Sequence, residues 1–290
     1  MTTHRPVALV TGATSGIGAL AAIALVKAGY QVVGTGRRTD NVTPSTGVTM
    51  MDLDVTDGES VTATVRRAVE QFGRIDVLVN NAGIGTAGAT EETSAEQDRH
   101  LFDVNVLGVI RMTKAVLPYM RSQGSGRIIN ISSIFGFVPA PFMASYSAAK
   151  HAIEGYSESV DHEVREFGVR VLIVEPAGTR TGFDDNTSSP ENPLEVYARQ
   201  RTLVGQVVAG AVNDGDDPAL VAAAIMAAAT DRAPKLRYPA SPTARRLSIL
   251  RRFVPARAFD KQIRKFNKFT IDNRPNPVAA KETPHEHLSR

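Results

Sequence analysis

The chain contains neither cysteine nor tryptophan, and it has no long apolar run. Without cysteine there is no disulfide, no thiolate nucleophile and no cysteine-ligated metal. The six histidines are scattered without metal-ligand spacing, so we expect no metal site. No stretch reaches the roughly 18 uncharged apolar residues that a transmembrane helix needs. Because an apolar strand begins almost at the first residue, we also expect no signal peptide and a cytoplasmic protein.

Short apolar runs alternate with longer helical patterns along most of the chain. The runs are apolar almost continuously, which is typical of parallel strands covered on both faces. They are residues 7–10, 31–35, 48–53, 75–80, 127–132, 170–175 and 235–238. Helices are predicted at 18–29, 57–72, 94–122, 146–167 and 218–230, the third interrupted near Pro118. The alternation predicts an α/β fold, with a doubly wound Rossmann-type parallel sheet in a single domain.

A glycine-rich turn directly follows the first strand, in the sequence TGATSGIG (11–18). Its glycines let the backbone turn tightly and approach a pyrophosphate, and the helix behind them offers free N–H groups and a positive dipole end. A strand before the turn and an Ala-rich helix after it are the context that dinucleotide binding requires. The candidate phosphate-binding residues are Thr11, Gly12, Thr14, Ser15, Gly16, Ile17 and Gly18.

A tyrosine and a lysine stand four residues apart in SYSAAK (145–150). On a helix, residues at this spacing share one face. A lysine cation beside a phenol favours the phenolate, which would let Tyr146 act as an acid or base near neutral pH. By itself, the pair also fits an ordinary surface Tyr and Lys150 on a helix.

Together with four further motifs, these two stretches resemble the short-chain dehydrogenase/reductase family from about Pro6 to about Tyr238. The further motifs are DLDVTD (52–57), NNAG (80–83), DVNVLG (103–108) and EPAGTRTGF (175–183), and all six occur in the family's order. A looser resemblance points to the branch that contains 17-beta-hydroxysteroid and retinol dehydrogenases.

The resemblance implies a catalytic set of Asn105, Ser133, Tyr146 and Lys150. Tyr146 would be the acid/base, and Lys150 would lower its pKa and hold the nicotinamide ribose. Ser133 rather than Ser132 matches the family's serine, thirteen positions before the tyrosine, and would hydrogen-bond the substrate oxygen. Asn105 would hold a water that links Lys150 to solvent.

The resemblance also implies a nicotinamide cofactor. Asp54 and Val55 would contact the adenine, Asn81, Ala82 and Gly83 the ribose, and the loop with Pro176, Gly178, Thr179 and Thr181 the nicotinamide. At the end of the second strand, Gly36 occupies the position where an NAD-binding member carries an acid. Arg37 and Arg38 follow and suit a 2′-phosphate, so NADP is favoured over NAD, although Asp40 is close enough in sequence to pair with one of them.

These patterns divide the chain into three parts. A dinucleotide-binding and catalytic domain is predicted over residues 1–240, a basic helical extension over 241–273 and a disordered tail over 274–290. Within the domain, a mobile substrate loop with helices is expected at about 176–216. Its apolar residues, together with an aromatic patch at 134–143, favour a lipophilic carbonyl or alcohol substrate. The long helices at 94–122 and 146–167 resemble those that form a homodimer or homotetramer in the family.

The basic extension leaves two interpretations open. Nine arginines and lysines stand between Ala244 and Lys268, where Asp260 is the single acid. Apolar residues at helical spacing accompany them, which is typical of weak peripheral contact with an anionic membrane. Equally, the apolar stripe suits a helical extension packed beside the substrate cleft. No nucleic-acid partner is expected, because no recognition motif accompanies the charge. For the whole protein, the alternative to an enzyme is a catalytically silent cofactor-binding regulator or scaffold.

Overall fold

The computed structural model of the protein describes residues 4–183 and 186–269. Its strands are β1 (Val7–Val10), β2 (Gln31–Gly36), β3 (Val48–Asp52), β4 (Val77–Asn80), β5 (Gly85–Thr86), β6 (Gly126–Ile131), β7 (Val169–Glu175), β8 (Thr187–Ser188) and β9 (Arg237–Pro239). Its α-helices are α1 (Gly16–Lys27), α2 (Gly58–Phe72), α3 (Ala95–Phe102), α4 (Gly108–Gln123), α5 (Ala144–Val164), α6 (Ala198–Asn213), α7 (Pro218–Thr230), α8 (Pro242–Phe253) and α9 (Ala256–Phe266). The predicted tail (274–290) and the end of the predicted extension (270–273) lie outside the described residues.

Seven strands form one parallel sheet in the order β3-β2-β1-β4-β6-β7-β9. The predicted doubly wound α/β fold is therefore confirmed. The strand order reverses between β1 and β4, and in such sheets ligands bind outside the carboxyl ends of the strands at this point. A separate two-stranded ladder pairs β5 with β8, which ties the loop after β4 to the segment after β7.

Helices cover both faces of the sheet. On one face, Leu25 of α1 and Ile225 of α7 pack on strand residues such as Val79, all fully buried. On the other face, helices α2, α4 and α5 pack on residues such as Leu78 and Ile128. Burial of both faces explains why the central strands are apolar at every position rather than at alternate ones.

Side-chain caps mark where several helices begin. Asp57 accepts a hydrogen bond from the Glu59 N–H at the start of α2, and Asp217 does the same for Ala219 at the start of α7. Ser94 and Gln97 form a reciprocal capping box at the start of α3. These caps satisfy N–H groups that the helices leave unpaired, so the sequence defines these helix starts locally.

The predicted interruption of the helix at 94–122 is wrong in its position. The helix is interrupted by a π-helical turn at Asp103–Leu107, whereas Pro118 lies inside α4. Pro118 lacks the N–H that would bond to the carbonyl of Lys114, but both residues are exposed, so that carbonyl can be hydrated. Turns of the π type often occur at functional sites, and this one carries Asn105.

After β9, helices α8 and α9 extend the fold at the carboxyl edge of the sheet. Ser241 caps α8 by accepting from the Ala244 N–H. Phe259 of α9 is buried, and the guanidinium of Arg251 lies 5.1 Å from its ring centroid. Among the described residues, every helix is too short or too polar to cross a bilayer.

Candidate active site

The glycine-rich turn after β1 is packed so tightly that two of its glycines are sterically required. Gly12 has φ +63°, a left-handed conformation, and a Cβ there would lie 3.0 Å from the Cα of Ala82. A Cβ on Gly18 would lie 2.2 Å from the carbonyl oxygen of Gly12. Any larger residue at these positions would displace backbone and open the turn.

The NNAG segment holds this turn from the side of β4. Thr11 Oγ1 accepts hydrogen bonds from the N–H groups of Asn81 and Ala82, each at 3.0 Å. Asn81 Nδ2 donates to the carbonyls of Thr11 and Gly12 at 2.9 and 3.0 Å. These contacts join the carboxyl ends of β1 and β4, where the strand order reverses. Asn81, predicted to contact the ribose, thus uses its side-chain amide to fix the glycine turn.

The N-terminus of α1 fits an anionic group. Ser15 precedes α1 with no side-chain cap, and the first turn contains no acidic residue. A Cβ placed on Gly16 would meet only Thr181, at 3.8 Å, so the loop after β7 lies directly over this turn. Free N–H groups, a positive dipole end and a glycine cradle are the features that hold a pyrophosphate. The residues present therefore fit a dinucleotide.

Arg37 and Arg38 lie at the carboxyl end of β2, and both are exposed. Neither forms a salt bridge with a described carboxylate, so the alternative of a pairing with Asp40 is not made. The loop is fixed just beyond them, where Asp52 accepts bonds from the N–H and hydroxyl of Thr39 at 2.9 and 2.7 Å. A Cβ on Gly36 would lie only 2.5 Å from Thr14 Cγ2, which disfavours an acidic side chain at that position.

Asp54 and Val55, the predicted adenine contacts, follow β3. Thr56 donates to Asp54 through its hydroxyl and its N–H, and these bonds, with smaller contributions from Arg37 and His100, lower the pKa of Asp54. Val55 packs against Gly108, where an added Cβ would lie 2.9 Å from Val55 Cγ2. The predicted adenine site therefore borders the π-helical turn.

Tyr146, Ser133 and Lys150 come together at the carboxyl end of β6 and in the first turns of α5. The Ser133 hydroxyl is close enough to the Tyr146 phenol to lower the pKa of that phenol. Lys150 Nζ lies 5.5 Å from the centroid of the Tyr146 ring and donates to the carbonyl of Ile131 at 2.9 Å. The rings of Phe135 and Phe183 lie 6.4 and 5.8 Å from that of Tyr146, so apolar side chains enclose the phenol.

The electrostatics of this pair differ from the prediction. Burial raises the pKa of Tyr146, and the smaller lowering effect of Ser133 only partly offsets that rise. The expectation of a lowered tyrosine pKa is therefore wrong for this arrangement, because desolvation penalises the phenolate. Burial also lowers the pKa of Lys150 to about 8, against an opposing effect of Glu154. At neutral pH the site thus holds a neutral phenol beside a mostly cationic lysine.

A buried ionic cluster that sequence reasoning missed lies behind Lys150. Glu154 accepts a hydrogen bond from Ser132 at 2.8 Å and pairs with Arg237 at 2.7 Å. Arg237 also pairs with Glu158 at 2.7 Å and with Glu175 at 2.5 Å. Ser132 therefore points away from Tyr146, as its position next to Ser133 in an extended strand predicts. The helical spacing of Lys150 and Glu154 was the available signal.

Asn105 is buried in the π-helical turn and fixes the loop after NNAG. Its Oδ1 accepts from the Ile84 N–H at 2.9 Å, and its Nδ2 donates to the Ile84 carbonyl at 2.8 Å. Gly83 lies under the same amide, since a Cβ there would be 3.2 Å from Oδ1. The contacts of the Asn105 amide are thus structural, and a relay water at Asn105 stays a prediction.

The predicted nicotinamide loop follows β7 and packs over the site. The Pro176 carbonyl accepts from Ile134 N–H at 2.8 Å, one residue beyond Ser133. Thr179 pairs with Asp216 in an isolated parallel bridge, and Asp216 N–H donates to the Gly178 carbonyl at 2.8 Å. Thr181 is the member of this loop that lies near the glycine turn. The loop therefore bridges Ser133 and the glycine-rich turn.

A second contact missed by sequence reasoning anchors the substrate segment. Glu92 is fully buried and accepts from the N–H groups of Ala89 and Leu194 at 2.8 and 2.9 Å. Its carboxylate also pairs with Arg201 of α6. The segment at 176–216, expected to be a mobile loop with helices, is thus tied to the loop after β5 by a buried ion pair.

A cleft of about 430 Å³ opens beside the loop that leads into α5. Its lining residues are Ala89, Thr90, Glu91, Pro141, Phe142 and Tyr197. Phe142 has φ +62°, a strained backbone conformation for a residue other than glycine, and its ring meets Tyr197 at 6.0 Å. Two of the residues that line the cleft are thus aromatic, and one of them, Phe142, precedes Tyr146 by four residues in the chain.

Comparison with known proteins relates this arrangement to one family. A family model described as short chain dehydrogenase matches residues 6–192. The chain is 39% identical over 237 residues to a 3-ketodihydrosphingosine reductase of Bacteroides thetaiotaomicron, which covers 81% of this chain and 87% of the relative. A short-chain dehydrogenase structure from Streptomyces avermitilis is 36% identical, with a TM-score of 0.78 and coverage of 92% and 98% of the two chains. Another from Burkholderia cenocepacia, in complex with NADP, is 26% identical, with a TM-score of 0.72 and coverage of 91% and 99%.

Proposed function

The chain belongs to the short-chain dehydrogenase family, and we propose that it interconverts a lipophilic carbonyl compound and its alcohol with NADP as the hydride carrier. The observation that carries the proposal is the Tyr146 phenol, with Ser133 close by and Lys150 adjacent, at the strand edge that carries the glycine-rich turn. The arrangement places a proton donor where a carbonyl oxygen can be held. No described residue favours the silent-regulator alternative.

In the reducing direction, Tyr146 gives its phenolic proton to the carbonyl oxygen. The nicotinamide, when bound, supplies the hydride that the carbonyl carbon accepts. Ser133 donates a hydrogen bond to the oxygen as negative charge develops there, and Lys150 stabilises the phenolate that remains. The product is the alcohol, with one hydride and one proton added. The neutral state of the buried phenol suits this direction, because an acid must be protonated before it can act.

The preference for NADP rests on the end of β2. Gly36 leaves no acidic group to accept a ribose 2′-hydroxyl, and Arg37 and Arg38 present cations without a described carboxylate partner. A guanidinium binds a phosphate monoester through two parallel hydrogen bonds. The Burkholderia cenocepacia neighbour in complex with NADP supports the same choice.

The lipophilic nature of the substrate rests on the aromatic side chains around the site. Phe135 and Phe183 pack beside Tyr146, and Phe142 and Tyr197 line the cleft beside the loop that leads into α5. The Bacteroides relative is named as a reductase of 3-ketodihydrosphingosine, which is consistent with a ketone that carries a long apolar chain.

Replacement of Tyr146 by phenylalanine tests the catalytic role. We expect Tyr146→Phe to lower kcat by about 10²–10⁴-fold, the usual contribution of a general acid, and to leave NADPH affinity unchanged. Tyr156→Phe, on the same helix but outside the site, is the matched control. Full turnover in Tyr146→Phe would overturn the proposed mechanism. A biological effect that persists without turnover would favour the regulator.

Fluorescence titration with NADPH and NADH tests the cofactor preference. We expect Arg37→Ala to weaken NADPH binding about tenfold or more, because a charge-assisted bond to the phosphate is lost, and to leave NADH binding unchanged. Arg66→Ala removes an exposed arginine of α2 as a control. A wild-type preference for NADH, or equal loss of both cofactors in Arg37→Ala, would contradict the assignment.

We further propose that the protein assembles as a homodimer or homotetramer through α4 and α5. The exposed side of α5 is built of small residues, which let a second helix approach closely. They are Ala148, Ala152, Gly155 and Ser159, all exposed.

A further inference from the structure

Helix α8 presents an apolar stripe to solvent. Ile249, Leu250 and Phe253 are 51%, 48% and 74% exposed. With Arg246 they stand at i, i+3, i+4 and i+7, which places them on one face of the helix. The opposite face packs on the protein, where Ala244 is fully buried. The exposed apolar side chains are therefore not the ones that pack α8 on the protein.

Positive charge flanks this stripe. Arg245 and Arg252, seven residues apart, lie along one side of it and are exposed. Neither forms a salt bridge with a described carboxylate. Arg252 lies with its guanidinium 5.8 Å from the centroid of the Phe253 ring, so a cation stands directly beside the most exposed aromatic.

The packed face of α8 contacts the segment between β6 and α5. Arg251, on the packed face of α8, donates to the Phe137 carbonyl at 3.0 Å, in the loop between Ser133 and Tyr146. After α9, the ring of Phe269 lies 6.4 Å from that of Phe142, which lines the cleft. A partner bound to the exposed face of α8 would therefore lie on a helix whose other face contacts this segment.

We propose that this α8 surface, defined by Arg245, Arg246, Ile249, Leu250, Arg252 and Phe253, docks on an anionic lipid bilayer. Arginines attract the anionic headgroups, and the apolar stripe enters the boundary between headgroups and acyl chains. A nucleic acid would also bind the arginines, but it would offer no apolar environment to Ile249, Leu250 and Phe253. The inference concerns binding to membranes and does not depend on the proposed reaction.

Vesicle flotation of the full chain, without substrate or cofactor, tests the docking. We expect the protein to float with vesicles of equal phosphatidylglycerol and phosphatidylcholine, and not with phosphatidylcholine alone. Binding should fall from 0.1 M to 1 M salt, where the screening length drops from about 10 Å to about 3 Å. The double variant Arg245→Gln/Arg252→Gln should bind these vesicles at least about tenfold more weakly than wild type. Its control is Arg66→Gln/Arg67→Gln on α2, with the same loss of charge.

The absence of tryptophan from the chain provides a direct probe of insertion. In Phe253→Trp, the single indole should shift its emission to the blue when anionic vesicles are added. Phe167→Trp is the matched control, because Phe167 is 49% exposed but precedes β7 at the amino edge of the sheet, opposite α8. Its emission should not respond to vesicles.

Phe253→Ser separates lipid insertion from attraction by charge alone. We expect Phe253→Ser to lose vesicle binding without loss of folding, since the ring is largely exposed. Binding that requires the arginines but not Phe253 would contradict insertion, as would stronger binding to DNA than to vesicles. If the emission of Phe253→Trp is already blue-shifted and unaffected by vesicles, the chain itself or a second copy covers the stripe. Each of these results would overturn the proposal.

Discussion

At the scale of single residues, the site is governed by the cost of burying charge. Tyr146 and Lys150 are both shifted toward their neutral forms, because burial desolvates each of them. Glu154, one helical turn beyond Lys150, opposes the shift of the lysine, and Ser132 and Arg237 hold its carboxylate in place. Glu154 thus helps to keep Lys150 cationic at neutral pH.

The lowered pKa of Lys150 predicts a specific dependence of stability on pH. Its folded pKa is about 8 and its unfolded value is about 10.5, so between these values the unfolded chain binds more protons. Folding stability therefore gains from Lys150 as pH rises through this window, by up to about 3 kcal/mol. The variant Lys150→Met lacks this pH-dependent increase in folding stability. The free energy of unfolding of the variant, relative to wild type, should fall by that amount from pH 7 to pH 10.5.

Urea unfolding of both proteins across this pH range measures the difference. Lys27→Met, at the exposed end of α1, is the control and should show no such trend. A constant difference between Lys150→Met and wild type at all pH values would mean that Lys150 keeps an ordinary pKa in the folded protein.

At the scale of elements, the helix and strand boundaries that depend on neighbouring residues could be predicted from the sequence. Strand β1 was predicted with its observed bounds, because a four-residue apolar run next to a glycine turn has few alternatives. Helix α2 begins where Asp57 caps it. The π-helical turn at Asp103–Leu107 was not predicted, because the contacts that fix it join Asn105 to Ile84 rather than to its own helix.

In the candidate site, too, local features could be predicted from the sequence and contacts between distant residues could not. Ser133, Tyr146 and Lys150 lie in one continuous segment, and the resemblance to the family was enough to predict them. The partners of Glu154 and Glu92 are far along the chain, at Arg237 and Arg201, so no local pattern reveals them. The net pKa of Tyr146 was likewise beyond the sequence, because it depends on how completely Phe135 and Phe183 desolvate the phenol.

The loop between β6 and α5 stores strain at Phe142. Its φ of +62° costs about 1–2 kcal/mol for any residue with a Cβ, whereas glycine adopts it freely. Gly88 N–H donates to the Phe142 carbonyl at 2.8 Å and helps to hold this conformation. Both Phe142→Gly and Phe142→Ala lose the ring, but only Phe142→Gly relieves the strain. We expect Phe142→Gly to be the more stable variant by about 1 kcal/mol in urea unfolding.

The same two variants report on the cleft. If the Phe142 ring binds the apolar part of the substrate, both should raise KM for long-chain ketones, with little change in kcat. Equal stability of the two variants would show that residue 142 is not held at positive φ in solution.

At the scale of the whole molecule, the candidate site and the proposed docking surface lie at one edge of the sheet. The glycine turn, the Tyr146 site and the α8 surface all follow the carboxyl ends of parallel strands. In α4 and α5, only the outer faces are available to contact a second copy of the chain, because α2 and the sheet cover the inner faces. Membrane docking and dimerisation therefore involve different elements and can be tested separately.

The proposed assembly predicts the effect of one substitution at the centre of the small-residue face of α5. Ala152 is exposed, and an arginine there would be accommodated in a monomer. In a dimer that packs α5 closely against a second copy, the same arginine would be buried without a partner, which is strongly unfavourable. We therefore expect wild type to sediment as a dimer or tetramer and Ala152→Arg to sediment as a smaller species with unchanged circular dichroism. Thr62→Arg on α2 is the control and should leave the assembly intact. A monomeric wild type, or an Ala152→Arg variant that assembles normally, would place the interface elsewhere or exclude it.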